Sequence, residues 1–465
     1  MSQTREPGPL DYSITKVRRI ADPPPDLDRA ANMWVAIRAF PPGLDPTFMG
    51  SLWFHHDGRA EARGPGLQLL PMAGGRQEGG LRYANLFFDP QIGGSPFLDR
   101  APGWRRIDFL FACPTGADAL AVHTVVQVPD SDEMRTIRAG SLQPVNGMWQ
   151  FSASAETPSP FNAPPPDPGR LRPGFIGGAP KSGTTWMQML LNQHPAVLAL
   201  GEGSLVRNVS VRSSATANRW FPPRTLQAVI DEFGSQALLV RLMQTFREFS
   251  GCQWVIDKSP GNARHYRQLL AYVPTCQLIH CVRHPLDVVV SRLHHEANLL
   301  RGGAPTPRMA DLIDAIRLLP ALLATGEKIP LDTKLWTLVL RILMEYVELQ
   351  AQAFETMAER PGRLLLIRYE DMLTDPERCA AQVFEHLRVP ADALTLSACV
   401  RNVSFANLRQ ARGGQDNAFF RSGTSGQYRG RFDAADAARI MTYVNAGLPQ
   451  FELLGYGLPP NDGHT

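Results

Sequence analysis

The sequence predicts a three-layer α/β fold around a parallel sheet, preceded by an antiparallel β-sandwich-like domain. After a proline-rich stretch at residues 156–173, strand-like apolar runs alternate with helical ones, which is the pattern of a parallel sheet. Before that stretch, short β-type runs are separated by Gly, Pro and Asp clusters without a long helical period, as in a sandwich or small barrel. We therefore predict a two-domain protein.

Composition limits the class of protein. The 465 residues exceed one average domain, and a hydrophobic content of 44% supports ordinary buried cores. A net charge of +3 gives no indication of a nucleic-acid or membrane-surface binder. The chain begins without the apolar core of a secretion signal, and its six cysteines show no C-x-x-C spacing. We expect a cytoplasmic protein with reduced thiols, no membrane span and no metal.

The first half is predicted to contain a flexible arm at residues 1–30, a β-rich domain of unknown role at 31–155 and a stiff linker at 156–173. Strands are expected at 33–40, 48–54, 81–88, 107–111, 120–128 and 149–152. The second half, 174–460, is predicted to form the α/β domain. Its expected strands are 175–176, 254–256, 277–282 and 364–367, and its expected helices are 186–191, 263–271, 286–294 and 335–358. The segment 300–330 is either a lid over a substrate or a plain connector.

A glycine-rich loop at residues 175–186 ends a strand and begins a helix. Such a loop directs unpaired N–H groups and the positive end of the helix toward an anion. Nucleoside triphosphatases place the lysine after the second glycine, whereas here Lys181 precedes Gly183. The loop therefore indicates a phosphate site for a donor other than ATP.

Two further strand ends carry groups suited to such a donor. Arg283 follows an apolar strand, with Ser291 two turns along the next helix, which places a guanidinium beside the first loop. A salt bridge to Asp287 is the alternative interpretation of Arg283. Tyr369 follows another strand, where it is suited to pack near a base or forms an ordinary polar strand end.

A later loop and two charged residues complete the candidate site. Arg421, Ser422 and Gly423 are suited to wrap a second phosphate, although a flexible basic loop has the same composition. Glu202 follows the first helix, where a carboxylate can take a proton from an acceptor hydroxyl. Lys258 ends the next strand, where it can stabilise negative charge. A surface or salt-bridge role is the alternative for both.

Taken together, these stretches resemble the sulfotransferases that use 3′-phosphoadenosine 5′-phosphosulfate (PAPS). Ala-Pro-Lys-Ser-Gly-Thr-Thr-Trp resembles their 5′-phosphosulfate loop, and Cys-Val-Arg-His-Pro-Leu-Asp-Val-Val-Val-Ser resembles their 3′-phosphate strand and helix. Arg-Tyr-Glu-Asp and Arg-Ser-Gly-Thr-Ser-Gly-Gln-Tyr match two later elements in the expected order. The resemblance covers roughly residues 171–457. It implies a P-loop-like fold and sulfuryl transfer from PAPS, as co-substrate, to an acceptor hydroxyl.

The resemblance also implies roles for single residues. Lys181 would neutralise the bridging oxygen of the phosphosulfate, and Trp186 would lie against the adenine. The 5′-phosphate would be held by Ser182, Gly183, Thr184 and Thr185. The 3′-phosphate would be held by Arg283, Ser291 and the backbone of Arg421, Ser422 and Gly423. The scheme relies on positioning and charge stabilisation, and it requires no metal.

The expected base separates branches of the family. The phenol and steroid branch uses a histidine in a Thr-His motif, where this chain has Asp257-Lys258-Ser259-Pro260. The glycan and tyrosine-modifying branches use a glutamate soon after the first helix, as Glu202 would be. We therefore predict Glu202 as the base and Lys258 as an assisting cation, with His265 as the alternative base or a packing residue.

Two other functions stay open from the sequence. One is a P-loop kinase or other nucleotide-binding protein, although no Gly-Lys-Ser/Thr stands at a strand–helix junction. The other is a non-catalytic glycan-binding module fused to a degenerate transferase, against which the intact Lys181, Arg283 and Glu202 argue. The acceptor is a hydroxyl-bearing glycan, small molecule or peptide, and the oligomeric state is open.

Overall fold

A computed structural model describes residues 8–9, 12–20, 33–39, 47–56, 65–73, 76–77, 82–86, 101–112, 119–127, 134–145, 148–153, 171–201, 205, 234–301, 307–404, 406–407 and 423–456. The chain divides into two compact units. The first contains Met1–Pro173, Met189–Asp257 and Arg401–Gln415, and the second contains Gly174–Gln188, Lys258–Val400 and Asp416–Thr465. This division follows compactness alone, so the predicted boundaries of 31–155, 156–173 and 174–460 stay predictions.

The described residues before position 154 form two largely antiparallel sheets. Their strands are β1 (Gly8–Pro9), β2 (Tyr12–Arg19), β3 (Met33–Ala39), β4 (Thr47–His56), β5 (Gly66–Ala73), β6 (Arg76–Gln77), β7 (Arg82–Asn85), β8 (Gly103–Ala112), β9 (Ala119–Gln127), β10 (Met134–Val145) and β11 (Met148–Ala153). One sheet has the order β1-β7-β5-β9-β10-β11, with β6 beside β5, and the other has the order β2-β8-β4-β3. β1 and β7 run parallel, whereas pairs such as β9–β10 and β4–β8 are antiparallel.

One buried apolar cluster takes side chains from both of these sheets. Phe48 and Phe109 come from the four-stranded sheet, and Leu67 and Val122 come from the other. Gly50 shares a face with Phe48, because strand side chains alternate. A Cβ at Gly50 would lie 2.3 Å from the Phe109 ring, so that ring occupies the space a side chain would need. The predicted antiparallel, sandwich-like region is confirmed.

The strand β2 corrects one prediction. A flexible arm is predicted over residues 1–30, but Tyr12–Arg19 pairs antiparallel with β8, with one register shift between Ile14 and Lys16. Tyr12 and Ile14 are buried in the shared cluster. Apolar and polar residues alternate over Tyr-Ser-Ile-Thr, as in a half-buried strand, and the alternation shifts by one residue at the bulge between Ile14 and Lys16. The arm prediction, which rests on the nearby prolines, is therefore wrong for this strand.

The second sheet system is a five-stranded parallel sheet. Its strands are β12 (Arg172–Gly178), β13 (Val197–Leu200), β14 (Trp254–Lys258), β15 (Gln277–Val282) and β16 (Leu364–Arg368), in the order β13-β14-β12-β15-β16. The pairs β12–β15, β13–β14 and β15–β16 are registered in parallel. The four predicted strands correspond to β12, β14, β15 and β16. The short run of β13 is absent from the prediction because four apolar residues fit a helix equally well.

Helices alternate with these strands, as the sequence predicts. They are α1 (Thr184–Gln193), α2 (Ser235–Ser250), α3 (Tyr266–Tyr272), α4 (Pro285–Arg301), α5 (Ile313–Ala324), α6 (Thr333–Glu359), α7 (Tyr369–Thr374), α8 (Pro376–Leu387), α9 (Ala393–Asn402) and α10 (Ala434–Gly447). The long α6 is capped at its N-terminus by Asp332, whose side chain accepts from the Leu335 N–H at 2.9 Å. Such caps satisfy backbone donors that the first turn leaves unpaired. The predicted α/β architecture is confirmed.

Candidate active site

The glycine loop predicted from the sequence connects β12 to α1. The Ser182 N–H donates to Ala179 O at 3.1 Å, and the Met187 N–H donates to Gly183 O at 3.0 Å. The helix therefore begins directly at the end of the loop. Its first N–H groups have no acceptor within the helix, and they add to the positive end of the helix dipole. The loop has the geometry of an anion site.

The backbone of this loop is strained at one residue. Lys181 has a φ of 75° and Gly183 a φ of 95°. Glycine adopts positive φ without penalty, whereas another residue pays about 1–2 kcal/mol. A Cβ at Gly183 would also lie 2.7 Å from a ring atom of Tyr369, so only glycine fits there. Backbone strain of this kind persists where the surrounding structure fixes the conformation, and it is concentrated at active sites and ligand-binding loops.

Two buried hydrogen-bond donors, one in the glycine loop and one just after β15, have no partner within the described part of the chain. They are the hydroxyl of Ser182, which is fully buried, and the Nε of Arg283. A buried donor without an acceptor costs about 1–3 kcal/mol, so native proteins contain few of them. Both groups belong to stretches predicted to bind phosphates. The residues present therefore fit an anionic ligand with two phosphate positions.

Arg283 joins the first loop to the C-terminal segment. Its Nη1 donates to Lys181 O at 3.3 Å, and its Nη2 donates to Thr424 O at 3.1 Å. The guanidinium carbon lies 4.3 Å from the ring centroid of Tyr369, which is a cation–π distance. Asp287 Oδ2 is 3.9 Å away, so the alternative salt bridge is present beside these contacts.

Tyr369 thus lies beside the loop and under Arg283. Its ring contacts the position where a Gly183 side chain would stand. Burial raises the pKa of Tyr369, and the charge of Arg283 partly opposes this. The phenol is therefore neutral at ordinary pH. The sequence interpretation, in which Tyr369 packs near a base, stays a prediction.

Asp287 and the residues around it form a network of hydrogen bonds and stacked rings that the sequence analysis did not predict. Asp287 accepts from the N–H groups of Gly426 and Tyr428. The His284 ring stacks on Tyr428, with centroids 4.7 Å apart and planes 10° apart. The His284 N–H donates to Glu370 Oε1 at 3.0 Å. The sequence indicated this network only in that its residues lie within the stretches that resemble the sulfotransferase motifs.

The ammonium group of Lys258 contacts the hydroxyl of Thr185 at the start of α1. Lys258 is the last residue of β14 and is almost fully buried. Its Nζ donates to Thr185 Oγ1 at 3.3 Å. An ammonium group is therefore held at the first turn of the helix that follows the loop.

The remaining predicted residues are placed as follows. Ser291 lies on α4 and Trp186 on α1, and both are partly exposed. His265 ends a 3-10 turn, with its Nδ1 3.2 Å from Gln268 Oε1. Glu202, Arg421 and Ser422 lie outside the described residues. Their predicted roles stay predictions.

Two general features of the described chain concern metals and membranes. Over the residues that the structure describes, no group of three or more His, Cys, Asp or Glu side chains is arranged to hold a metal ion. None of the described helices is long and apolar enough to cross a membrane.

Comparisons with known proteins agree with the motifs. A family model described as a sulfotransferase domain matches residues 172–452, more than half of the chain. The chain therefore belongs to the sulfotransferase domain family. The prediction of a PAPS-dependent sulfotransferase from the motifs is confirmed. The branch within that family stays a prediction.

Two solved structures with partial similarity carry the name sulfotransferase. The sulfotransferase domain of the Synechococcus PCC 7002 olefin synthase is 18% identical, with a TM-score of 0.39 over 63% of this chain and 98% of that one. Mouse sulfotransferase SULT7A1, complexed with PAP, is 13% identical, with a TM-score of 0.38 over 62% and 87%. No curated protein sequence matches the chain. Because these structural scores are low, the assignment rests on the family match.

Proposed function

We propose that this sulfotransferase binds PAPS between the loop at residues 175–186 and the strand end at Arg283. The observation that carries the proposal is the position of the Arg283 guanidinium, which bonds to Lys181 O and to Thr424 O. It therefore joins the element predicted for the 5′-phosphosulfate to the element predicted for the 3′-phosphate. A donor with phosphates at both the 5′ and the 3′ positions of one adenosine fits this pair of elements. A nucleotide with a single 5′-polyphosphate chain needs only the glycine loop.

The loop would hold the 5′ end of the donor. The residues in contact would be Lys181, Ser182, Gly183, Thr184 and Thr185, through N–H, hydroxyl and ammonium groups. When bound, PAPS supplies a sulfuryl group attached to a phosphate leaving group. Lys181 would stabilise the negative charge that develops on that phosphate, with Lys258 assisting from the first turn of α1. The strained backbone of Lys181 supports its role in this loop.

The other end of the donor would lie at α4 and the C-terminal segment. The Nε of Arg283 and the hydroxyl of Ser291 would donate to the 3′-phosphate, since the buried Nε has no partner in the described chain. Gly423, with Arg421 and Ser422, would close over it. Trp186 would lie against the adenine.

The acceptor side of the proposal depends on a general base. Glu202 would take the proton of the acceptor hydroxyl as the hydroxyl oxygen bonds to sulfur. This assignment places the chain in the glutamate-base branch. His265 is the alternative, but its Nδ1 already lies within hydrogen-bonding distance of Gln268.

The donor is tested by thermal unfolding of the full chain with two nucleotides. At about 100 times its Kd, adenosine 3′,5′-bisphosphate (PAP) should add about 2.7 kcal/mol to the unfolding free energy. ATP with Mg²⁺ should add far less, because it does not use the second phosphate position. The Lys181→Ala variant should lose most of the effect of PAP. Stabilisation by ATP and not by PAP would contradict the proposal and favour the kinase alternative.

We also propose the class of the acceptor and the cellular location. A hydroxyl-bearing glycan, small molecule or peptide is proposed as acceptor, and a screen with sulfur-35-labelled PAPS would identify it. A cytoplasmic location is proposed because the cysteines in the described ranges are free and buried. Recovery of the protein in a membrane or secreted fraction would contradict that location.

A further inference from the structure

The segment that follows Gly423 is attached to the Arg283 strand end by one carboxylate. Asp287 lies in the first turn of α4, and its side chain is fully buried. Its Oδ2 accepts from the Gly426 N–H at 2.7 Å and lies 3.5 Å from Ser425 Oγ. Its Oδ1 accepts from the Tyr428 N–H at 3.2 Å. Both carboxylate oxygens therefore bind the same short segment.

Contacts on either side of Asp287 hold Arg283 against this segment. The Arg283 Nη2 donates to Thr424 O, one residue after Gly423, and lies 3.9 Å from Asp287 Oδ2. The segment is also held by ring stacking between Tyr428 and His284. Arg283 and the segment are therefore positioned together, with Asp287 between them.

A carboxylate at this place needs an explanation, because the neighbouring groups are proposed to bind a phosphate. A negative charge near a phosphate is unfavourable unless donors neutralise it. Here two backbone N–H groups and the nearby guanidinium do so. A neutral Asn would not replace it, because Asn has one acceptor oxygen and one NH₂ donor. The site therefore requires a residue with two acceptor oxygens.

We propose that Asp287 is a positioning residue that makes the enzyme select donors with a 3′-phosphate. It holds the segment 423–428 beside Arg283, which donates to Thr424 O, without touching the donor itself. This inference rests on the proposed function, because it assumes that the 3′-phosphate lies between these elements. It adds a structural reason for preferring an adenosine nucleotide with a 3′-phosphate over one that lacks it.

The test compares two ligands that differ only in the 3′-phosphate. The affinities of PAP and of adenosine 5′-phosphate are measured by calorimetry for the wild-type full chain and for Asp287→Asn. Wild type should bind PAP at least about tenfold more tightly, as expected for one charge-assisted contact. Asp287→Asn should lower this preference about tenfold. The loss should fall on PAP, with the affinity for adenosine 5′-phosphate unchanged.

A matched control separates positioning from general stability. Asp375 caps α8 by accepting from the Arg378 N–H at 3.1 Å, and it is not proposed to support the donor site. Asp375→Ala should lower the unfolding temperature and leave the ligand preference as in wild type. If Asp287→Asn behaves like this control, or loses both ligands equally, the inference is wrong.

Failure of the inference and failure of the proposed function give different results. A wild type that binds both ligands equally contradicts the proposed donor. A wild type that prefers PAP, with an equal preference in Asp287→Asn, contradicts only the role of Asp287. If Asp287→Asn does not fold, Asp287→Glu is used, which keeps the charge and displaces the carboxylate by one methylene. The same loss of preference is expected for it, and an unchanged preference overturns the inference.

Discussion

Lys181 and Ser182 differ from ordinary loop residues in two physical respects. Lys181 adopts a positive φ that costs a non-glycine residue free energy, and Ser182 buries a hydroxyl with no partner within the described chain. Each is unfavourable in the protein by itself. Hydrogen bonds from the loop to the proposed donor would offset both costs. At the scale of single residues, these two unfavourable features support the proposed donor site.

The proposed base gives a prediction at the same scale. Glu202→Gln removes the proton acceptor but keeps the shape of the side chain. Turnover should fall by a factor of about 10²–10⁴, because general base catalysis contributes that much. Binding of PAP, measured by calorimetry, should change less than about twofold, because Glu202 is proposed to face the acceptor.

The alternative base provides the control for this experiment. His265→Ala should retain activity if Glu202 is the base. Full activity of Glu202→Gln, together with an inactive His265→Ala, would transfer the role to His265.

His280 gives a second residue-scale prediction, on stability. It is fully buried on β15, with Nε2 2.7 Å from Gln350 Oε1 and Nδ1 3.0 Å from the Tyr266 hydroxyl. Burial lowers the pKa of His280 to about 4, and the bond to Gln350 partly opposes this. Between pH 4 and 6.5 the unfolded state therefore binds more protons than the folded state, so stability falls as the pH is lowered through this range.

The expected size is up to about 3 kcal/mol of unfolding free energy between pH 7 and pH 4. Denaturant unfolding of wild type and His280→Gln at pH 7 and at pH 4.5 measures it. The variant should lose less stability on acidification, because Gln does not titrate. Equal losses in both proteins would show that His280 does not contribute to the pH dependence.

At the scale of elements, α1 is supported at both ends. Its first turn follows the loop, and its last turn and the strand connection after it bind Lys16 from β2. The Lys16 Nζ donates to Asn192 O at 3.1 Å, to His194 O at 3.0 Å and to Val197 O. Carbonyls at a helix C-terminus lack partners within the helix and carry its negative end. A buried ammonium therefore satisfies groups that an apolar residue would leave unpaired.

The element-scale prediction replaces this ammonium. Lys16→Met should lower the unfolding free energy by about 2–4 kcal/mol, because it leaves several buried carbonyls without a donor. Urea unfolding measures the change. Lys334→Met, at an exposed position of α6, is the matched control and should change stability by less than about 0.5 kcal/mol. Equal stability of the two variants would show that the Lys16 contacts contribute nothing.

At the scale of the whole molecule, buried charge accompanies the apolar core of the first unit. Asp108 on β8 accepts from Arg18 and from Arg106, each at 2.7 Å, and from Ser51 Oγ at 2.5 Å. Burial alone would raise the pKa of Asp108, but the two guanidinium groups bring it below its ordinary value. Arg106 also donates to Phe249 O on α2. The N-terminal sheet is therefore connected by polar contacts to a helix of the same unit.

Much of the fold could be predicted because its signals are local. The parallel sheet followed from apolar runs alternating with helical ones, and β12, β14, β15 and β16 appear where they were expected. Strand β2 was missed because nearby prolines suggested an arm and because its alternation of apolar and polar residues is interrupted at Thr15 and Lys16. Strand β13 was missed because four apolar residues do not distinguish a strand from a helix.

The family and the candidate phosphate loop could be predicted from the sequence because each motif is a short run of neighbouring residues whose spacing indicates the chemistry. The contacts of Asp287 and Lys16 could not, because their partners lie far along the chain: Gly426 is 139 residues from Asp287, and His194 is 178 residues from Lys16. Nothing in a local pattern identifies such partners. Only the folded chain brings these partners together. There Asp287 binds the segment around Gly426, and Lys16 binds the end of α1 and the connection that follows it.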